Sequence, residues 1–495
     1  MATTRQRADP SGLSEYGYGQ QLTRSLGRFS AFAASFSALS LMTGLFQVWF
    51  IGYAFGGPAF FWFWPLVFAG QMLVALVFAE LAARYPLAGS AYQWARHLGG
   101  RAWGWHTGWI YLVAQLVTLP AVVVAVQLTL PPVFPALNFV DDFSKNAVIL
   151  GLILLAVVTV VNLIGVRLMS TINNIGVAAE LVGAVVLALL LLFHVTRGPG
   201  VVLETNGTGD GHSLGYLGAF LVSGFFGLYN MYAFDTASTL AEETEDPRRN
   251  APRAILRALL AAGLIGGTIL LLSLMVIPDL GAEELGTSGL PFVVKEVLGG
   301  TLGNIMLLDV TIAVIVCSLA LQAWTARTLF AMGRDGELPG SGALAKVSTK
   351  TKVPVGATLA TAVIGALILV VNLNNAKAFN VIIAMGIIFI YIAYLCVTLV
   401  ALHRRRQGFM REGAEAGLFT MRPKVGMAAN IGAVVFGGAM IVNLMWPRAE
   451  FYGDAWYQQY AAVIFVPITI ILGSLYYFAF RREPAEVAAV APAEA

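Results

Sequence analysis

"LYNMYAFDTASTLAEETEDPRRNAP", Leu228 to Pro252, holds the question that decides the fold. No residue from Ser213 to Phe234 carries a charge. Asp235 then stands inside the apolar run, seven residues ahead of the acidic pair Glu242–Glu243, where a loop dense in charge begins. An unpartnered carboxylate among apolar residues is costly in water-free surroundings. Something must therefore stabilise Asp235, or use it.

The rest of the chain says what those surroundings are. Of 495 residues, 58% are hydrophobic and only 12% charged, and the mean hydropathy is +0.77. The charged share is about half that of a soluble domain. A soluble protein cannot hide so much apolar surface, whereas a bilayer accepts it. The pI near 8.8 does not point to nucleic acid, because the basic residues lie between apolar runs and form no patch. Cys317 and Cys396 both sit inside apolar runs and read as packing residues, without a disulfide. No His/Cys cluster suggests a metal, and nothing calls for a cofactor. The first 28 residues are polar, with Arg5, Arg7, Arg24 and Arg28, and read as a mobile tail instead of a cleaved signal peptide.

About 20 residues cross the hydrocarbon as a helix. Twelve runs meet that length: roughly 29–55, 59–83, 103–130, 147–166, 174–194, 214–240, 258–277, 303–329, 354–372, 378–402, 427–446 and 459–480. None alternates with period two, which excludes a barrel. The expected class is an all-α integral membrane protein with twelve transmembrane helices. With the amino terminus inside, only five of the 30 Lys and Arg fall outside: Lys145, Arg197, Lys295, Lys377 and Arg448. That asymmetry places both termini in the cytoplasm; the expected location is the plasma membrane. It also explains the basic pI.

Spans 1 and 6 differ from the others. "SFSALSLMTGLFQ", Ser35 to Gln47, and "FFGLYNMYAFDTAS", Phe225 to Ser238, put hydroxyls, small residues or a charge at mid-helix. Such residues can serve close helix packing. Yet each segment opens a group of five spans, and interrupted helices at matching positions mark the binding site of many transporters. The halves show no direct sequence similarity, so this symmetry rests on span spacing.

"AELAARYPLAGSAYQW" (Ala79–Trp94), "FDTASTLAEETEDPRRNAPRAI" from Phe234, "FAMGRDGELP" (Phe330–Pro339) and "SFSALSLMTGLF" followed by "GGPAFFWFWPLVFAGQ" resemble the amino acid–polyamine–organocation permeases, in particular their amino acid/choline branch. The resemblance covers about residues 20–480. It implies a LeuT-like five-plus-five inverted repeat over 29–402, a loop at 403–426, two extra helices within 427–480 and a tail at 481–495. It also implies substrate held where helices 1 and 6 break. Motif by motif, those breaks fall on Ser40, Leu41, Met42, Thr43 and Gly44, centred on Thr43–Gly44, and on Tyr232 to Thr236. Met42 and Ala233 stand where many members carry glycine, which narrows the pocket.

Physical chemistry agrees with that placement. A break leaves amides and carbonyls that lipid cannot satisfy but a polar substrate can. The amides after Thr43–Gly44 suit a carboxylate, and the carbonyl end near Tyr229 to Tyr232 suits an ammonium. Tyr229, Tyr232 and Phe234 can face a cation or simply pack. Asp235 either caps the second half of helix 6 or meets the substrate amine, or carries a proton. Glu180, about seven residues into span 5, is the expected proton carrier; several family members hold a Lys there, near the place where sodium-coupled cousins bind an ion. Sodium stays open, with Ser318 offering an oxygen. Glu80 reads as structural at the inner interface. Glu242 and Glu243 with Arg248, Arg249 and Arg253 form either a solvated turn or an inner gate held by ion pairs.

The expected function is secondary transport of an amino acid or small amine, such as 4-aminobutyrate, choline or a polyamine, by alternating access with proton coupling. Exchange without an ion is the alternative. A membrane enzyme would need a catalytic cluster, and His97, His106, His194, His212 and His403 are scattered. A channel would want a ring-forming filter. No nucleotide-binding Gly-x4-Gly-Lys-Ser/Thr motif is present.

Overall fold

The computed structural model describes residues 13–210, 212, 214–371, 378–409 and 417–480, with the backbone alone at 378–380. The tail at 481–495, Arg5, Arg7, Lys377 and part of the 403–426 loop lie outside the described residues.

Helices dominate, as apolar runs punctuated by Gly, Pro and charge require. In chain order they are α1 (Arg28–Leu39), α2 (Leu41–Gly56), α3 (Phe63–Arg84), α4 (Ser90–Val123), α5 (Phe143–Ile164), α6 (Val166–Phe193), α7 (Tyr216–Asn230), α8 (Thr236–Thr239), α9 (Pro247–Met275), α10 (Leu290–Arg334), α11 (Val355–Val371), α12 (Ala378–Arg406), α13 (Pro423–Met445) and α14 (Ala461–Ala479). Among the described residues no strand forms; two isolated bridges are the whole of the β structure. Among the described residues, ten helical stretches are long and apolar enough to cross a membrane. The 17-residue α11 and the broken pair α7–α8 are shorter.

The polarity runs inside out relative to a soluble protein. Val157, Val160, Val182, Leu189, Val435 and Leu475 are exposed, while Gln71, Gln115, Asn146, Glu180 and Asp235 are buried. Large exposed apolar surface of this kind belongs against lipid. This is a multi-pass membrane protein. Inside, α12 runs along α4, α9 packs on α3 and α1, and α10 packs on α6 and α4. Peripheral α13 and α14 are buried over only a third or less of their apolar window.

Two helices start earlier than their apolar runs. α4 begins at Ser90 and bends at Gly100 (φ 86°, ψ 176°); α10 begins at Leu290 and bends at Gly299 (φ 73°, ψ −178°). Positive φ is easy only for glycine. Four residues on, Gly104 and Gly303 let the bent arm fold back: an added Cβ would meet Arg96 Cα at 2.5 Å or Lys295 Cα at 3.2 Å. The first short arm lies with Asp335, which binds Tyr92 and Arg96. The second lies beside Phe50, toward the far end of α2. The two bends therefore sit at opposite ends of the molecule. The end with Arg96, Arg101, Arg327 and Arg334 is called the basic end below.

α6 also starts early. Its first turns hold Ser170, Thr171, Asn173 and Asn174, which look like loop. α1 meets the two asparagines, and Thr171 bonds back within the helix: Ser37 Oγ donates to Asn173 at 2.7 Å, Asn174 donates to Ser30 at 2.9 Å and Thr171 donates to Arg167 O at 2.9 Å. Glu180 is thus the fifteenth residue of 28, at mid-helix, and not near the start of its span.

Candidate functional site

The first break is a single residue. Ser40 is left-handed (φ 40°, ψ 86°), ends α1 through its N–H to Phe36 O at 2.7 Å, and begins α2. Gly44 N–H already donates to Ser40 O at 3.0 Å, so Thr43–Gly44, the expected centre, belongs to the first turn of α2. Gly44 serves space instead: an added Cβ would lie 2.2 Å from Asn230 Oδ1, on the facing break. A helix start attracts an anion, and the chain supplies one itself. Glu180 Oε1 accepts the Met42 N–H at 3.0 Å and the Ser40 hydroxyl at 3.3 Å, while Ser40 Oγ lies 2.6 Å from the Thr43 hydroxyl. The Met42 amide, in the first turn of α2, is therefore occupied. Leu41 packs in the core beside the break. Glu180 is fully buried and its Oε2 has no partner. Ser318 turns back on its own helix, donating to Val314 O at 2.7 Å. Its neighbour Cys317, free and buried, contacts Ala38 O at 3.8 Å.

The second break is wider. α7 ends at Asn230, α8 starts at Thr236, and Met231–Asp235 lie between, with Ala233 left-handed at φ 65°. The expected break from Tyr232 is found, except that Thr236 has joined α8. Asp235 is fully buried and does not cap α8 with its side chain. Three hydroxyls converge on it: Ser90 at 2.9 Å and Tyr111 on Oδ2, and Tyr394 at 2.5 Å on Oδ1. Tyr111 in turn accepts from Trp324 Nε1 at 2.7 Å, and Tyr394 accepts the Ala233 N–H at 3.1 Å. The opening question has its answer here: the carboxylate is held by donors from α4 and α12. Phe234 points away from the gap into a cluster with Phe78 and Tyr394. Tyr229 donates to Gln47 at 2.8 Å, and Tyr232 reaches Thr118 at 3.4 Å.

Sequence reading missed several groups. Tyr111, Gln115 and Thr118 occur at i, i+4 and i+7 on α4, so Gln115 shares the face that meets Asp235 and Tyr232. Both polar atoms of Gln115 are buried without partners, as is Asn230 Oδ1. Polar residues at that spacing in an apolar run were the available signal. Orphaned buried polar atoms are rare in proteins and demand an explanation.

The acidic pair closes the basic end, with other partners than expected. Glu243 binds the buried Arg327 at 2.9 Å, and Glu242 binds Arg334 at 2.9 Å and accepts the Ala88 N–H at 3.0 Å. Arg248 instead pairs with Glu15 at 2.9 Å and Arg249 with Asp246 at 3.7 Å, while Arg253 is exposed. These were the wrong cations because α9 turns its first arginines outward, whereas α10 points Arg327 and Arg334 inward. The segment from Tyr18 to Leu26 straps the closure. Gln20 donates to Glu242 O at 2.8 Å, and Leu26 donates to Glu243 O at 3.0 Å. Tyr18 lies 3.9 Å from the Arg334 guanidinium and donates to Asp335 at 2.8 Å. Burial, then the Asp335 charge, pushes the Tyr18 pKa up to about 12, so its hydroxyl stays a donor. Glu80, read as structural, forms a buried pair with Arg405 and accepts the Met421 N–H at 3.1 Å.

Beyond the breaks, away from the basic end, a cavity of about 220 Å³ is lined by Gln47, Phe50, Ala121, Phe143 and Leu369. Gln47 connects it to Tyr229.

Many apolar helices around paired breaks, with buried polar atoms between them, define a membrane transport protein. The comparisons agree. The family described as "Amino acid permease" matches residues 26–473, and the chain belongs to it. It is 29% identical over 440 residues to the amino-acid permease BAT1 of Arabidopsis thaliana, covering 83% of this chain and 84% of that one. The rice BAT1 homolog is 28% identical, with 80% and 81% covered. The thiamine transporter thi9 of Schizosaccharomyces pombe is 25% identical, with 77% and 71% covered.

Proposed function

We propose that this permease is a secondary active transporter of an amino acid or small amine, working by alternating access and driven by protons. The observation that carries this reading is the gap between the breaks, where Gln115 and Asn230 leave buried polar atoms unpaired. A substrate with N–H donors and a polar acceptor group supplies what those atoms lack. The relatives support the breadth of the class, an amino-acid permease in one case and a thiamine transporter in another.

We place twelve crossings in the plasma membrane with both termini in the cytoplasm, an orientation supported by the basic residues gathered at one end. The five-plus-five inverted repeat over 29–402 is supported by the matching glycine bends at opposite ends. In this arrangement the closure by Glu242, Glu243, Arg327 and Arg334 is the inner gate, shut, while the cavity near Gln47 is the outer approach. Glu180 ties the proton to the hinge. Ionised, it holds the Met42 amide and the Ser40 hydroxyl; protonated, it holds them less tightly.

Purified protein in liposomes tests this, with 4-aminobutyrate, arginine, choline and thiamine as probes. Saturable counterflow of at least one, and its uptake under an inward pH gradient, are expected. Glu180→Gln should keep counterflow and lower pH-driven uptake by about tenfold or more. Ohmic conductance without counterflow would remove the carrier reading. Concentrative uptake by Glu180→Gln would remove Glu180 from coupling.

A further inference from the structure

α6 meets α10 along a seam of small residues. An added Cβ at Gly176 would lie 2.2 Å from Val316 Cγ1, and one at Gly183 would lie 1.8 Å from Asp309 Oδ2. Glu180 sits between these glycines, four residues from one and three from the other, on the same face of the helix. Its Oε1 is engaged at the start of α2, while its fully buried Oε2 has no partner. Asp309 is half-buried, and its Oδ2, pressed on the Gly183 backbone, also has no partner. Asp309 meets α6 at Gly183, three residues and less than one helical turn on from Glu180. Asp309 is the one farther from the basic end and the one reaching the protein surface. Nothing described so far uses it.

We propose that Asp309 and Glu180 form a two-carboxyl proton relay, in which Asp309 receives the proton from the outer side and hands it to Glu180 beside the hinge at Ser40. This rests on the proton-driven reading above. An O–H bond forms at Asp309 Oδ2 as a hydronium ion gives up its proton. That bond then breaks as a new O–H forms at Glu180 Oε2, which restores the Asp309 carboxylate. No electrons change hands. Two unpaired carboxyl oxygens suffice for this, whereas a hard metal cation wants a shell of about six oxygens. Gly183 is what admits Asp309 to the α6 surface, since any larger residue would occupy the carboxylate's place.

The full chain in liposomes decides the matter, using whichever of the four probes shows counterflow. Asp309→Asn is expected to cut pH-driven uptake by about tenfold while counterflow changes less than about twofold. Gly183→Ala should do the same, because it displaces Asp309 without changing any titratable group. Asp309→Glu should recover most of the drive. In infrared titration of the purified protein, Asp309→Asn should remove one carboxyl band and shift that of Glu180. If Asp309→Asn concentrates substrate as well as wild type, the relay is overturned and the proton-driven reading stands. If Asp309→Asn loses counterflow as well, the residue is structural and the relay is overturned. Wild-type uptake that ignores the pH gradient, or follows sodium, overturns the proton-driven reading and the relay together.

Discussion

The two breaks face each other across the same gap, and each is served by one buried carboxylate, but in opposite ways. At Met231–Asp235 the carboxylate belongs to the break, and Ser90, Tyr111 and Tyr394 all donate to it. At Ser40 it arrives from α6, spends one oxygen on the Met42 amide and leaves the other unpaired. Equal burial therefore does not mean equal role. A fully partnered carboxylate is a clamp that fixes helix 6 to α4 and α12. A half-partnered one can change its protonation state without dismantling its surroundings. Partnering, more than depth, separates scaffold from moving part.

That contrast breaks or holds under substitution. The largest effect is expected at the clamp. Asp235→Ala removes the acceptor shared by three buried hydroxyls, a loss of about 1–3 kcal/mol for each donor left unsatisfied. Melting in detergent should fall by many degrees and transport should vanish; a variant melting like wild type would end the clamp reading. Next comes the gap between the breaks. Gly44→Ala sets a methyl 2.2 Å from Asn230 Oδ1, whose amide is anchored to Phe226 O at 2.7 Å. Overpacking of this kind costs about 1–3 kcal/mol. Counterflow should weaken more than the melting temperature drops, and a purely thermal effect would place Asn230 outside the substrate site.

Glu180→Gln should barely alter stability, by less than about 1 kcal/mol, because a carboxamide oxygen still accepts the Met42 N–H. A drop as deep as that of Asp235→Ala would erase the distinction between the two carboxylates. The smallest change is expected at Ala233, whose left-handed backbone costs about 1–2 kcal/mol in an L-residue, set against the entropy that glycine loses on folding. Ala233→Gly should raise the melting point slightly. A fall would mean that the Ala233 methyl packs against something the break needs.

Much of the architecture was legible in advance, for a local reason. Lipid penalises every unsatisfied polar group, so apolar runs, basic loop ends and the polar centre of helix 6 are written in short stretches such as "MYAFDTAS". The resemblance spread the helix 1 break over Ser40 to Gly44 and centred it on Thr43–Gly44; the backbone breaks at Ser40, and Gly44 is needed for its missing side chain. The twin bends at Gly100 and Gly299 were visible as "LGG" repeats at Leu98 and Leu298, but their equivalence emerges only from backbone angles.

The sequence by itself determined that this is a helical membrane protein, which end is basic, roughly where helix 6 breaks, and that Glu180 and Asp235 are buried. It could not choose partners. Arg327 lies 84 residues from Glu243, and Tyr111, Ser90 and Tyr394 lie 124, 145 and 159 residues from Asp235. Whether a buried carboxylate is clamped or left with a free oxygen depends on which helix faces bring donors within about 3 Å. Composition and spacing set the cost of burying a charge; only the tertiary packing decides what meets it.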